Sequence, residues 1–322
     1  MAKLTVVTGA AGFIGRNTVA ALNARGADHL LLVDKLGIDE KWKNLLGLRF
    51  EDLIDPDQFI NRIEAPNNPL EIDAIIHLGA CSATTERDAD YLLRNNYLYT
   101  RRLCEWSLAR GIRFIYASSA ATYGDGSHGY SDEDSVTPTL RPLNMYGYSK
   151  HMFDLWALKN QLFDRIVGLK YFNVFGPFED HKGDMRSVIC KSYQQIRQTG
   201  EISLFKSYRP DCGDGEQKRD FIYVKDAVDV TLYFLDHRER GGLLNCGTGQ
   251  ARTWKDLALA MFAAMDVKPN IKFIEMPETL REKYQYFTQA DLSKLRRVGY
   301  GARFSPLEDA VRDYVQMYLA RA

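Results

Sequence analysis

Leu4-Thr5-Val6-Val7-Thr8-Gly9-Ala10-Ala11-Gly12-Phe13-Ile14-Gly15 is the stretch whose reading decides the fold. Leu4–Thr8 reads as a buried strand, and Gly12–Arg25 as a helix. Between them the glycines fall in a G-x-x-G-x-x-G spacing. Gly9 permits a tight turn, Gly12 lets the backbone approach a pyrophosphate, and Gly15 allows close helix–strand packing. The helix N-terminus then offers unpaired N–H groups and a positive dipole end to phosphates. A second apolar strand, His29–Asp34, ends in an acid placed to hold a ribose 2′-hydroxyl. Strand, glycine turn, helix, strand and acid in that order make a dinucleotide the expected ligand.

Outward from this start the alternation continues. Asp73–Leu78, Arg113–Ser118 and Arg165–Phe172 read as strands, and Tyr91–Ala109 and Ser149–Leu162 as helices. Strands alternating with helices predict an α/β fold with a Rossmann-type doubly wound parallel sheet. From about Pro177 to Arg219 the chain turns loop-rich and polar, with a helical stretch at Ser187–Gln198. Phe221–Leu235 reads as a short strand feeding a helix, Leu243–Cys246 as a returning strand, and Trp254–Met265 and Leu307–Leu319 as helices. The expected division is a dinucleotide-binding unit over residues 1–176, rejoined by 220–250, and a smaller substrate-binding unit over 177–322.

Composition narrows the function. Of 322 residues, 42 are basic and 42 acidic, which argues against a nucleic-acid binder. The N-terminus lacks a basic region followed by a cleavable apolar segment, and no apolar run is long enough for a bilayer, so a cytoplasmic protein is expected. Cys81, Cys104, Cys190, Cys212 and Cys246 are scattered, as are the six histidines; neither disulfides nor a metal site is expected.

Tyr146-Gly147-Tyr148-Ser149-Lys150 sets a phenol and an amine four residues apart, on one face if the segment is helical. An ammonium beside a phenol favours the phenolate, which can exchange a proton with a substrate hydroxyl while hydride moves to or from a nicotinamide. Ser118 and Ser119 end a strand where such sheets bind ligands, and Ser119 can hydrogen-bond the reacting oxygen. Asp34 alone favours NAD, whereas Lys35, Lys41 and Lys43 just beyond it could neutralise a 2′-phosphate and favour NADP; these residues leave both open. Arg219, in Gln217-Lys218-Arg219-Asp220, suits bidentate contact with a diphosphate; the plainer alternative is a surface ion pair with Asp220.

Glycine loop, strand-end serines and Tyr-x-x-x-Lys together are similar to the short-chain dehydrogenase/reductase superfamily, and the C-terminal extension resembles its branch acting on nucleotide sugars. Several segments resemble one family closely, the ADP-L-glycero-D-manno-heptose 6-epimerases. They are residues 79–86 (GACSATTE), 116–124 (YASSAATYG), 171–177 (YFNVFGP), His181-Lys182-Gly183, and 284–291 (YQYFTQAD). The likeness runs over nearly the whole chain. It implies inversion of C6″ of an ADP-heptose, a step towards lipopolysaccharide core, with a tightly held NADP reduced and reoxidised in each turnover. By this resemblance Ser119, Tyr146 and Lys150 are catalytic and Lys182 is a second acid/base. Phe13, Ile14, Asp34, Lys35, Lys41, Leu78, Gly79, Ala80, Cys81, Ser82, Asn95, Lys150, Val174 and Lys182 would contact the cofactor, beside Gly9, Gly12 and Gly15. Asn173, Asp184, Lys191, Phe205, Lys206, Ser207, Tyr208, Arg219 and Tyr284 would line the sugar-nucleotide site, and a homo-oligomer, a pentamer, is implied.

The chain departs from that pattern in places. Asp180 stands where the family often has glycine and is expected to alter the field around Lys182; Pro56 falls where some members have a cofactor-contacting lysine, and Asp184 where some have serine. Ser207–Gln217 is longer and more acidic than the family pattern. Two other readings compete. One is a different nucleotide-sugar epimerase or 4,6-dehydratase of the same branch; a dehydratase would need carboxylates after the strand-end serine, where this chain has Ala120-Ala121-Thr122. A non-catalytic dinucleotide sensor would have no use for Ser119, Tyr146 and Lys150.

Overall fold

A computed structural model describes residues 3–281 and 284–321. Its strands are β1 (Leu4–Thr8), β2 (Leu30–Val33), β3 (Asp52–Ile54), β4 (Ile72–His77), β5 (Arg113–Ser119), β6 (Ile166–Tyr171), β7 (Asn173–Phe175), β8 (Ile202–Phe205), β9 (Lys218–Tyr223), β10 (Gly242–Cys246), β11 (Ala251–Thr253) and β12 (Ile271–Ile274). The main α-helices are α1 (Phe13–Ala24), α2 (Pro56–Glu64), α3 (Ala89–Leu92), α4 (Tyr99–Leu108), α5 (Met145–Lys159), α6 (Val188–Thr199), α7 (Val224–Asp236), α8 (Trp254–Ala264), α9 (Glu278–Arg281), α10 (Ser293–Arg297) and α11 (Leu307–Tyr314).

Seven strands form one parallel sheet in the order β10-β6-β5-β4-β1-β2-β3. Val6 pairs with Leu31 on one side and Ile75 on the other, at the centre of continuous apolar runs that helices cover on both faces. Chain order reverses between β1 and β4, which opens a crevice at the carboxyl ends of those strands. β10 pairs with β6, and Leu295 and Tyr300 pack with Leu169 and Leu244, so late segments return to this sheet. The two small sheets, β11-β9-β7 and β12-β8, stand beside it. One apolar cluster runs from Val7 and Leu32 through Phe175 and Tyr193 to Leu257 and Val311, so the N-terminal sheet and the C-terminal helices share a core.

Three local features differ from the sequence expectation. β3 and α2 were not legible from periodicity, because β3 is a three-residue edge strand starting with an acid. The signal for α2 was a start signal: Asp55 caps it by accepting from Asp57 N at 2.7 Å, and Pro56 takes the first turn. The long helix expected at 91–109 contains a π-helical segment, Leu93–Leu98, between α3 and α4. Helix α5 begins at Met145, four residues before the expected Ser149, because Asn144 caps it by accepting from Gly147 N at 2.8 Å. The earlier start puts Tyr146 inside the helix.

Candidate active site

The glycine turn is held from below. Gly9 has φ 66°, and a Cβ there would lie 2.6 Å from Gly79 N. At Gly15 a Cβ would collide with the Gly9 carbonyl, so the close packing it permits is of the first helical turn on the turn itself, not on the strand as expected. Gly79 is fixed by a relay through the end of β4. Thr100 Oγ1 donates to Asn96 O at 2.6 Å and so accepts from His77 Nε2 at 2.9 Å. His77 Nδ1 then accepts from Thr8 Oγ1 at 2.6 Å, and Thr8 Oγ1 accepts from Gly79 N at 3.1 Å. Burial pushes the His77 pKa down to about 3, so the relay is uncharged.

Above this turn lies a cavity of about 410 Å3 lined by Gly9, Gly12, Phe13, Ile14, Gly15, Asp34, Lys41, Leu78, Gly79, Ala80, Cys81, Ser82, Ala117 and Lys182 among others. A second of about 230 Å3 continues past Asp34, Lys35, Lys41, Pro56, Gly79, Ala80, Cys81 and Asn95. Fifteen of the expected cofactor residues thus line one continuous crevice. Lys150 is not in either lining, but its amine donates to the lining residue Ala117, at the carbonyl, at 2.8 Å. Val174 instead packs against the core. The crevice suits a dinucleotide, because α1 starts at Phe13, after Gly12, with no side-chain cap and no acid in its first turn, leaving N–H groups for a pyrophosphate.

The charges at the ribose end are arranged specifically. Asp34 accepts from Ala11 N at 2.8 Å and from Lys35 N at 2.8 Å, and is paired with Lys41 Nζ at 2.6 Å. Lys35 turns to Asp57 at 2.7 Å, and Lys43 pairs with Glu40 away from the crevice. Of the three lysines considered, Lys41 alone lines both cavities.

At the reacting end, Ser119 Oγ caps the turn Ala120–Tyr123 by accepting from Ala121 N at 3.1 Å, which leaves its hydrogen free to donate. Tyr146 is half-buried; burial pushes its phenol up, and a hydrogen bond with Ser119 opposes the shift. The Lys150 amine is turned to Ala117 O and makes no hydrogen bond to this phenol among the described residues. Burial pulls Lys150 down to about 8, and Asp154, one helical turn on, opposes it. Asn96, missed from sequence, ties these parts together: its side chain accepts from Cys81 N at 2.9 Å, donates to Cys81 O at 3.0 Å, and donates to Ser149 Oγ at 3.0 Å. Its position in the π-helical segment gave no periodic signal.

Lys182 lies across the crevice in a 3-10 turn, its amine 5.0 Å from the centre of the Phe13 ring. Burial pushes its pKa down. The acid beside it is Glu179, at 3.9 Å, not Asp180, which was expected to set the local field; the Asp180 carboxylate faces Cys190 Sγ at 3.8 Å. Asp184 is exposed, and its backbone carbonyl accepts from Lys191.

Arg219 is 7% exposed, under Tyr284 (5.1 Å to the ring centre) and beside Trp254 (5.8 Å). Among the described residues its side chain makes one hydrogen bond, to the neighbouring Lys218 carbonyl, and no salt bridge to a carboxylate. The alternative ion pair with Asp220 does not form, since successive strand residues point to opposite faces. Asp220 accepts instead from Thr248 N, Thr248 Oγ1, Gly249 N and Ala290 N at 2.7–2.9 Å. A buried guanidinium without a counter-anion fits an anionic ligand. Phe205 meets Tyr284 edge-on at 6.3 Å, extending an aromatic wall. Lys206 and Tyr208 both turn to Glu275, and Ser207 N donates to Asp214, so these three are engaged by the protein. The acids of the 207–217 stretch are likewise used within the fold: Asp211 with Arg209 and Glu216 with Lys255. Asn173 is exposed at the start of β7. Asp220→Ala removes the acceptor of four donors, one buried and three part-buried, and should lower unfolding free energy by about 3 kcal/mol, read from chemical denaturation; a loss under about 1 kcal/mol would contradict this anchoring role.

Residues 5–247 match the profile of the NAD dependent epimerase/dehydratase family, and the chain belongs to that family. A nicotinamide dinucleotide is therefore the cofactor class, and the chain is an isomerase of the epimerase kind. It belongs, more narrowly, with the ADP-L-glycero-D-manno-heptose-6-epimerases. A protein of that name from Nitratidesulfovibrio vulgaris (strain DP4) is 55% identical over 98% of both chains. Another, from Fusobacterium nucleatum subsp. nucleatum, is 46% identical over 99% of this chain and 98% of its own. The crystal structure of Helicobacter pylori ADP-L-glycero-D-manno-heptose-6-epimerase superposes with a TM-score of 0.82 at 25% identity, covering 99% of this chain and 96% of its own. No described helix is long and apolar enough to cross a membrane, and no group of three or more potential metal ligands occurs among the described residues.

Proposed function

We propose that this chain interconverts ADP-D-glycero-D-manno-heptose and ADP-L-glycero-D-manno-heptose by transient oxidation at C6″, with a resident NADP. The observation that carries the reading is the placement of Lys182 in one cavity with the glycine turn, Leu78 and Ala117, whose carbonyl holds the Lys150 amine. When bound, the nicotinamide supplies a reversible hydride acceptor. Inversion requires the planar ketone to present its other face, which moves its oxygen. Tyr146 with Ser119 serves the oxygen in one orientation, and Lys182 serves it in the other. For one direction Tyr146 removes the hydroxyl proton and Lys182 supplies one to the turned carbonyl; the reverse direction exchanges the roles. After each inversion the two groups have swapped protons, so a proton must return between them before the next turnover in the same direction. Arg219 neutralises the diphosphate, and Tyr284 and Phe205 supply apolar contact beside it.

Incubation with the D-glycero substrate and no added cofactor should yield a mixture of both epimers. Absence of conversion together with turnover of UDP-glucose would favour another nucleotide-sugar enzyme. NADP rather than NAD is supported by Lys41, whose amine neutralises Asp34 at the ribose end. Mass spectrometry of the dinucleotide released on denaturation should find NADP. Lys41→Ala should weaken NADP binding at least about tenfold relative to NAD, a loss of about 1.4 kcal/mol; an unchanged ratio would remove Lys41 from the discrimination. The family likeness supports a cytoplasmic homo-oligomer, a pentamer, which sedimentation would test.

A further inference from the structure

We propose that Glu179 positions Lys182: its enclosed carboxylate holds the amine at the cavity wall and keeps a counter-charge beside it. This rests on the reading of Lys182 as the second acid/base. Glu179 is fully buried yet linked to three elements. It accepts from Ser187 N at 2.6 Å and Ser187 Oγ at 2.5 Å, where Ser187 caps α6. Tyr314 OH, from α11, donates to it at 3.1 Å. The fourth neighbour is Lys182 Nζ at 3.9 Å, one 3-10 turn further along. A carboxylate without water is costly unless donors and an opposite charge surround it. Tyr314 and Ser187 supply the donors, and Lys182 is the sole basic group within 4 Å of it among the described residues.

The arrangement couples the amine to the C-terminal part of the chain. Lys182 sits on a turn with Gly183 at φ 53°, so its place depends on what anchors that turn. The other ionisable groups around the pair are Cys190 and Lys191 on α6, and His181 and Asp180 on the turn itself. Asp180 is directed to Cys190, which leaves Glu179 as the one carboxylate within 4 Å of the amine among the described residues. Burial pushes Glu179 up and Lys182 down, and each opposes the shift of the other.

The test is the titration of Lys182 itself, by competitive acylation of the purified protein with acetic anhydride and peptide mass spectrometry. In Glu179→Gln the midpoint should fall by about one pH unit, giving about tenfold higher Lys182 reactivity below it. An unmoved midpoint in a folded variant would overturn the proposal, whether or not Lys182 is catalytic; the activity of Lys182→Met tests that separately. Should the Gln variant not fold, Lys182→Met gives a second reading through denaturant stability. Without the amine the folded pKa of Glu179 rises further, so stability is retained while the carboxyl is protonated and lost as pH rises through that value. The deficit against the parent should therefore grow as pH rises above the usual carboxylate range. A deficit independent of pH would also overturn the proposal.

Discussion

Tyr146→Phe is expected to abolish epimerisation while the dinucleotide stays bound. The phenol is the proton-transfer group hydrogen-bonded with Ser119, and removing one such group costs about 10²–10⁴-fold in rate. The ring remains, so the half-buried site at the start of α5 is not emptied, and Lys150 keeps its bond to Ala117 O. The measurement is the initial rate of interconversion by anion-exchange chromatography, beside the dinucleotide released from an equal amount of protein. Retention of more than a tenth of the parent rate would remove Tyr146 from the chemistry. Loss of activity together with loss of dinucleotide would point to binding instead.

Lys182→Met is expected to be as damaging, again by about 10²–10⁴-fold, but in a different manner. The variant keeps an unbranched apolar side chain and loses the amine that stands 5.0 Å from the Phe13 ring centre, so one orientation of the sugar should still be served by Tyr146. Reduced-nicotinamide absorbance should therefore still appear at mixing with one epimer and not with the other, with no net inversion. Full activity would mean that a single acid/base handles both faces. The burial that depresses the Lys182 pKa supports this role, because a surface lysine would carry too little neutral amine to accept a proton.

Much of this site could be read along the chain because its parts are local. A glycine turn between strand and helix, an acid ending the next strand, and a Tyr-x-x-x-Lys pair are each a few residues long, and each has a backbone or spacing reason. What periodicity could not reach were groups whose role depends on burial. Asn96 lies in a π-helical segment that breaks the helical period, and Glu179 reads as an ordinary surface acid in Phe178-Glu179-Asp180. The acids of the 207–217 stretch depart from the family pattern in sequence, yet they are spent on Arg209, Ser207 and Lys255.

By itself the sequence determined the doubly wound sheet, the dinucleotide crevice and the family, since hydrophobic period, turn chemistry and motif order are properties of short contiguous segments. Only the tertiary structure decided which charges meet. Lys41, not Lys35 or Lys43, faces Asp34; Glu179, not Asp180, faces Lys182; and Arg219 lies buried without the partner next to it in sequence. The reason is physical: an electrostatic interaction depends on distance and on exclusion of water, and both are fixed when elements far apart in the chain pack together.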